Sequence, residues 1–257
     1  MKLQSANFKD LYFFLDFDGS LCPHLEVWEG QAYDPQEIYG VVESLARKSG
    51  GVYWNTGRRV ESLGSVLSDF LLFSGYFIQG SLRWDASSKK SVLVGPALPE
   101  ALTQHYQKLL EGQGLLRLEI KASSLRIAPY QNVNMTELQK FILKNPLPQG
   151  NAGWVWHVGA RGAELLSTEY NKGFAIRDVE STLPASQAFK PVVIGDDLLD
   201  RPAVEEALKR EGYAILVGEH CGWATEIEHK AWQIEFFNDA HQALQFLKEL
   251  GSGEPHS

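Results

Sequence analysis

The sequence predicts an α/β protein in which a doubly wound parallel-sheet core is interrupted by an inserted α+β segment. Three observations carry this expectation. Apolar runs of strand length alternate with helix-period segments at both ends of the chain. From about Arg83 the rhythm changes to paired short strands separated by two helical stretches. Acidic or small polar residues follow the apolar runs, at the strand ends where open parallel sheets place their ligand-binding loops.

The first strand is Leu11–Leu15, a continuous apolar run suited to a sheet covered on both faces. Asp34, Pro35 and Glu37 then supply an N-cap, a first-turn proline and a capping-box acid, after which Ile38, Val41, Val42 and Leu45 repeat at helical spacing until Gly50-Gly51. Val52–Asn55 is a second strand. A helix follows, with Val60, Leu63, Leu67, Phe70 and Leu71 on one face, and Phe77–Gln79 is a third strand. The insertion is read as hairpin pieces around Ser87-Ser88, a helix at Pro99–Glu111, strands Leu115–Lys121 and Ser124–Ala128, a helix at Thr136–Lys144, and strands Trp154–His157 and Ala163–Leu166. This ββ-α-ββ-α-ββ order suits one antiparallel sheet with helices on one face. The β-α pattern resumes with a helix after Lys172, strand Val192–Ile194, a helix around Pro202–Arg210, strand Ala214–Val217, strand Trp232–Phe236 and helix Ala240–Leu250. The expected division is therefore a core of 1–82 and 167–257 around an insertion of 83–166.

Composition narrows the function. With 44% hydrophobic and 22% charged residues the chain reads as an ordinary soluble globular protein. A net charge of −8 argues against a general nucleic-acid binder, which needs clustered cations. Cys22 and Cys221 form no CxxC pair, and the histidines show no HxH or HExxH spacing, so neither a zinc site nor a disulfide framework is indicated. The apolar run at Leu11–Leu15 is too short for a signal-peptide core or a membrane span, and a cytoplasmic location is expected.

Four short segments carry chemistry. Asp16 and Asp18 follow the first strand in DFDGS, with Phe17 directed away from them and Gly19 permitting a sharp turn. One such carboxylate can attack phosphorus while the other donates and later removes a proton, although two acids also simply cap strand ends. Asp196, Asp197 and Asp200 follow the strand Val192–Ile194 in GDDLLD, where hard oxygen ligands suit magnesium and where acids also favour a helix N-terminus. Thr56 and Gly57 in Asn55-Thr56-Gly57-Arg58, and Lys172 in Asn171-Lys172-Gly173, offer a hydroxyl, free backbone N–H groups and an ammonium to a phosphoryl group. Taken singly, each of these is also an ordinary turn or helix start.

In this order the segments resemble the haloacid dehalogenase superfamily of phosphohydrolases, whose motifs run DxDGT/S, then S/T, then Lys, then GDxxxD or GDD. The resemblance implies a Rossmann-like core with an inserted α+β cap. It makes Asp16 nucleophile and metal ligand, and Asp18 general acid/base and a metal ligand through its carbonyl. Thr56, Gly57 and Lys172 would hold the phosphoryl group, Asp196 would ligate Mg2+, and Asp197 and Asp200 would act through water or neighbouring ligands. An insertion between the second and third motifs is similar to the larger cap of trehalose-6-phosphate phosphatases, phosphomannomutases and sucrose- or mannosylglycerate-type phosphatases. The trehalose-6-phosphate phosphatase family matches best, since LDFDGSLCP, GDDLLD and KASSL resemble its LDYDGTLAP, GDDxTDE and KxxSLA.

The departures concern the sugar side. Gln79-Gly80 stands where that family has His-Gly, Ala128-Pro129-Tyr130 replaces its His-Tyr-Arg, Leu166 occupies an arginine position and Arg201 a glutamate position. The resemblance thus implies a magnesium-dependent phosphatase of a phosphorylated sugar, with Lys121, Arg126 and Glu164 as cap contacts to substrate or, alternatively, solvated strand residues. The rival readings are a sugar phosphomutase, a phosphatase for another glycosyl phosphate, and a sugar-phosphate binding module without catalysis.

Overall fold

A computed structural model describes residues 3–23, 34–112, 114–130, 134–159, 161–227 and 232–252. Among these, twelve strands form two sheets. The strands are β1 (Leu11–Leu15), β2 (Gly51–Asn55), β3 (Gly75–Phe77), β4 (Leu82–Asp85), β5 (Lys90–Leu93), β6 (Leu116–Ile120), β7 (Leu125–Pro129), β8 (Trp154–Gly159), β9 (Gly162–Ser167), β10 (Lys190–Gly195), β11 (Tyr213–Val217) and β12 (Ile234–Phe237). The helices are α1 (Pro35–Lys48), α2 (Val60–Gly64), α3 (Glu100–Leu110), α4 (Met135–Lys144), α5 (Lys172–Thr182), α6 (Arg201–Lys209) and α7 (Ala240–Ser252).

The large sheet has the order β12-β11-β10-β1-β2-β3-β4-β5, parallel from β12 through β3. Strand β1 lies at its centre, between β10 and β2, because the chain winds outward in both directions from it. That reversal opens a crevice at the carboxyl ends of β1 and β10. Residues of β1 alternate between two cores. Leu11, Phe13 and Leu15 pack with Ile38, Val41 and Leu45 of α1 and Ala243 and Leu247 of α7. Tyr12 and Phe14 pack with Ala175 and Ile176 of α5 and Ala203 and Val204 of α6. Burial on both faces explains why this strand reads as an unbroken apolar run. Asp34 caps α1 by accepting from the Gln36 N–H at 2.9 Å, as its sequence position predicts.

The second sheet is antiparallel, in the order β6-β7-β9-β8. One face buries Leu116, Leu125, Ile127, Leu165 and Trp154 against Leu102 and Tyr106 of α3 and Leu138 of α4. The other face carries charged residues toward the large sheet.

Two expectations are corrected. The hairpin β4–β5 does not join the small sheet. It pairs antiparallel with β3 and extends the large one, so the inserted sheet begins only at β6. The helix expected to run from Val60 to Leu71 divides instead into α2 and a 3-10 segment, Ser68–Leu72. Leu71 folds back over Gly64, where a Cβ would lie 2.8 Å from Leu71 Cδ1. Both cysteines are buried thiols, and no helix among the described residues is long and apolar enough to cross a membrane.

Candidate active site

Three parallel strands deliver the residues of the site. Asp16 and Asp18 leave β1, Thr56 leaves β2, and Asp196 and Asp197 leave β10, with Lys172 at the first turn of α5. Gly19 has φ 79°, which permits the turn that closes with Gly19 N–H donating to the Cys22 carbonyl at 2.7 Å. Asn171 caps α5 by accepting from Gly173 N–H at 2.9 Å, while Asn55 donates to the Lys172 carbonyl at 3.0 Å. The lysine is thereby held from both sides.

Its ammonium sits 3.1 Å from Asp16 Oδ2 and 2.5 Å from Asp200 Oδ1, with all three side chains buried. Burial opposes this charge, but Asp16 and Asp200 outweigh it and raise the Lys172 pKa, so the ammonium is retained. The second oxygen of Asp200 accepts from the backbone N–H groups of Asp196 and Asp197, at 3.0 and 3.2 Å. Asp197 in turn caps the 3-10 turn Leu198–Asp200, accepting from Leu199 N–H at 2.7 Å. Asp200 thus shapes the loop and orients the lysine. Asp197, half a helix cap by sequence, is one in fact.

Carboxylate atoms of Asp16, Asp196 and Asp200 lie within 4.8 Å of one another. Burial pushes the Asp16 carboxyl well above the usual carboxylate range; Lys172 offsets this, while Asp200, Asp196 and Asp18 add to it. Burial likewise raises Asp196, with Asp200 and Asp197 contributing. A site so rich in desolvated negative charge, built of hard oxygen donors, fits a divalent cation such as Mg2+. Because both Asp200 oxygens already accept protein hydrogen bonds, Asp16 and Asp196 are the carboxylates better placed to hold it. Ser20 Oγ donates to Asp196 Oδ1 at 3.4 Å.

Asp18 is engaged by a residue to which sequence reasoning assigned no role. Arg58 donates from Nε to Asp18 Oδ2 at 2.7 Å and from Nη2 to Oδ1 at 2.6 Å, a two-pronged pair, and its guanidinium lies 5.0 Å from the Phe17 ring centroid. Arginine suits this double contact as lysine would not. The signal was present in Asn55-Thr56-Gly57-Arg58, but only the pairing of β1 with β2 brings that segment beside Asp18. Thr56 is buried, and its Oγ1 accepts from Arg58 N–H at 3.3 Å.

The cap contacts converge on Glu164. Its Oε1 accepts from Lys121 Nζ at 2.9 Å and Ser124 Oγ at 3.0 Å, and its Oε2 accepts from Gln79 Nε2 at 3.0 Å. Lys121 Nζ also donates to the Gly57 carbonyl at 3.0 Å. Burial alone would raise the Glu164 carboxyl, but Lys121 and the hydrogen bonds from Lys121, Gln79 and Ser124 hold it below the usual range. Lys121 and Glu164 therefore form a buried latch between the small sheet and the Thr56 loop. Gln79 reaches that latch from a turn in which Ile78, Gln79 and Gly80 have φ 51°, 57° and 91°. A β-branched residue with positive φ is uncommon and marks a backbone held by its surroundings. Here Ile78 N–H donates to the Arg58 carbonyl and Gln79 N–H to that of Thr56, at 3.0 and 3.2 Å. Arg126 lies farther out, donating from Nη2 to the Arg161 carbonyl at 3.3 Å.

The charged groups of the site, Asp200 excepted, together with Thr56 and Gln79, border one cavity of about 540 Å3 between the two sheets. Among the described residues its walls are nearly all polar or charged, with Leu199 the one aliphatic side chain.

The fold is that of the haloacid dehalogenase-like hydrolases. A haloacid dehalogenase-like hydrolase from Bacteroides thetaiotaomicron superposes with a TM-score of 0.63 at 11% identity, covering 93% of this chain and 98% of that one. The C-terminal domain of the C. albicans trehalose-6-phosphate phosphatase gives 0.69 at 17% identity, with 98% and 94% covered. The sucrose-phosphatase of Synechocystis sp. PCC6803, solved with sucrose and phosphate, gives 0.59 at 14% identity, with 94% and 98% covered. No protein-family model matches the chain. No curated protein matches it either.

Proposed function

We propose that this chain is a magnesium-dependent phosphatase of phosphorylated sugars, working through an aspartyl phosphate on Asp16. The observation that carries the reading is the convergence of Asp16, Asp18, Thr56, Lys172 and Asp196 on the rim of one cavity, from separate segments of the chain. In this reading residues 96–166 form a cap over the core, a boundary later than 83 because the β4–β5 hairpin belongs to the large sheet.

Asp16 Oδ attacks phosphorus in line with the ester bond. As the P–O bond breaks, Asp18 delivers a proton to the departing sugar oxygen, leaving a neutral alcohol. Water then gives its proton to Asp18 and attacks the phospho-enzyme, releasing inorganic phosphate and restoring the Asp16 carboxylate. Lys172 and Thr56 hold phosphoryl oxygens throughout, and one Asp18 oxygen must leave its contact with Arg58 to carry the proton while the other contact keeps the carboxyl positioned. Asp16, Asp196 and the Asp18 carbonyl would hold magnesium, which when bound would supply charge neutralisation between phosphate and carboxylate.

A sugar is supported by the walls. The Gln79 amide oxygen is buried without a hydrogen-bond partner among the described residues, an acceptor suited to a ligand hydroxyl. Trehalose 6-phosphate and sucrose phosphate are candidate esters by analogy of fold alone. The test is phosphate release across a panel of sugar phosphates with Mg2+ and with excess chelator. Magnesium-dependent release is expected. Accumulation of an isomeric phosphate without release would favour a mutase, and binding without turnover would favour a silent sugar-phosphate module.

A further inference from the structure

The charged face of the small sheet carries more positive charge than a neutral sugar requires. Arg117 and Glu119 of β6 and Lys121 just beyond its end alternate onto the cavity side, and Arg126 stands opposite Glu119 on β7. Lys121 is committed to Glu164 and the Gly57 carbonyl. Arg126 faces Glu119 at 3.9 Å, too long for a hydrogen bond, and donates from Nη2 to the Arg161 carbonyl at 3.3 Å, which leaves its other N–H donors for a ligand. Arg117 has no hydrogen bond or ion pair among the described residues. Arg161, from the turn between β8 and β9, borders the same space and, with Lys172, partly offsets the rise that burial imposes on the Asp196 carboxyl.

Of these, Arg117 and Arg126 stand along the small sheet from the phosphoryl-binding end, whereas Arg161 faces Asp196 there. Lys121 marks that end through its bond to Gly57. Arg126, at the register of Glu119, is about 7 Å of strand beyond it, and Arg117 about 13 Å beyond. The charge of the transferring phosphate is already met by Lys172 and by a cation at Asp16 and Asp196. Planar, two-pronged donors lining the opposite wall match a carboxylate or a second phosphate, whereas hydroxyl groups are served by groups that both donate and accept, such as Gln79.

We propose that the substrate is an acidic sugar ester, its leaving group carrying a second anion held by Arg126 and Arg117 at the far end of the cavity. This rests on the phosphatase reading and deepens it. A neutral disaccharide ester would leave Arg117 without a partner among the described residues and Arg126 with only the Arg161 carbonyl and the distant Glu119. A sugar acid or a bisphosphate satisfies them.

The experiment compares matched pairs: 6-phosphogluconate against glucitol 6-phosphate for a carboxylate, and glucose 1,6-bisphosphate against glucose 6-phosphate for a phosphate. The acid-to-neutral ratio of kcat/KM is expected to exceed ten in at least one pair, and the preferred pair identifies the anion. Arg117→Gln, and Arg117→Gln combined with Arg126→Gln, should bring that ratio toward one, a loss of about 10- to 100-fold, with urea midpoints reporting whether each variant is folded. A ratio near one in the parent protein, or a ratio unmoved by the folded Arg117→Gln variant, overturns the subsite. Magnesium-dependent hydrolysis of p-nitrophenyl phosphate reads the phosphatase chemistry separately. If no ester is turned over, calorimetric binding of each matched pair to the magnesium-supplied Asp16→Asn protein still decides: equal affinity for acid and neutral members overturns the proposal, and tighter binding of the acid supports it.

Discussion

Replacing Lys172 with methionine isolates the electrostatic centre of the site, because methionine keeps most of the side-chain volume and removes only the charge. At 3.1 Å from Asp16 and 2.5 Å from Asp200, the ammonium has a gross attraction of about 5 and about 7 kcal/mol respectively at an effective dielectric constant of about 20. Desolvation of three buried charges offsets much of that, so the net loss is smaller. Breaking a buried pair from one side typically destabilises by about 3–5 kcal/mol. Asp200 retains its two backbone donors and moderates the loss, while Asp16, already pushed upward by burial, can take up a proton. The expected destabilisation of Lys172→Met is therefore about 3 kcal/mol without metal. Magnesium should restore part of it, since a cation at Asp16 and Asp196 replaces the missing positive charge. Urea unfolding with and without Mg2+ measures both quantities, and kcat/KM for phosphate release should fall by about 10^3-fold or more. A variant as stable as the parent, with no larger magnesium stabilisation, would refute this account of the cluster.

Two further outcomes follow from the contacts around it. Arg58→Ala should lower turnover of sugar phosphates by about 10- to 100-fold and turnover of p-nitrophenyl phosphate less, because a phenolate departs without the proton that a positioned Asp18 supplies; Arg58→Lys should not restore the loss, since it cannot make the two-pronged contact. The Glu164 carboxyl is lowered in the folded protein, so its pairing contributes stability above its unfolded value of about 4.5 that is lost as pH falls through the folded value. The urea midpoint of Glu164→Gln should accordingly be lower at neutral pH and decline less in acid, and parallel curves for the two proteins would contradict the latch.

Much of this site is legible from local sequence because its groups sit where the backbone pattern itself ends. Asp16 and Asp196 follow apolar strands, and Lys172 follows its own N-cap, so each can be placed without knowing the fold. The order of four segments then carries the resemblance on which the proposed roles rest. Arg58 was written beside Thr56, yet its partner lies 40 residues earlier, and only strand pairing joins them. Gln79 was placed in a strand because Phe77 and Ile78 are apolar. The chain instead turns through positive φ at Ile78, held by the Thr56–Arg58 loop, a tertiary constraint with no local signature. The β4–β5 hairpin was legible as a hairpin, but its choice of sheet depended on an exposed edge at β3. The roles of Lys121 and Glu164 were open between substrate contact and solvated strand. Burial and mutual pairing make them a structural latch, and Arg117, which composition alone leaves as one surface charge among many, borders the cavity because β6 alternates.

The central claim is that Asp16 carries the phosphoryl group. Protein quenched in acid during turnover of a sugar phosphate with Mg2+ can be digested and examined by mass spectrometry. A phosphoryl adduct on the peptide containing Asp16 is expected. Folded Asp16→Asn protein should lack it and lose phosphate release by at least about 10^3-fold. Release at the parental rate by Asp16→Asn, or an adduct on a different residue, would contradict the account.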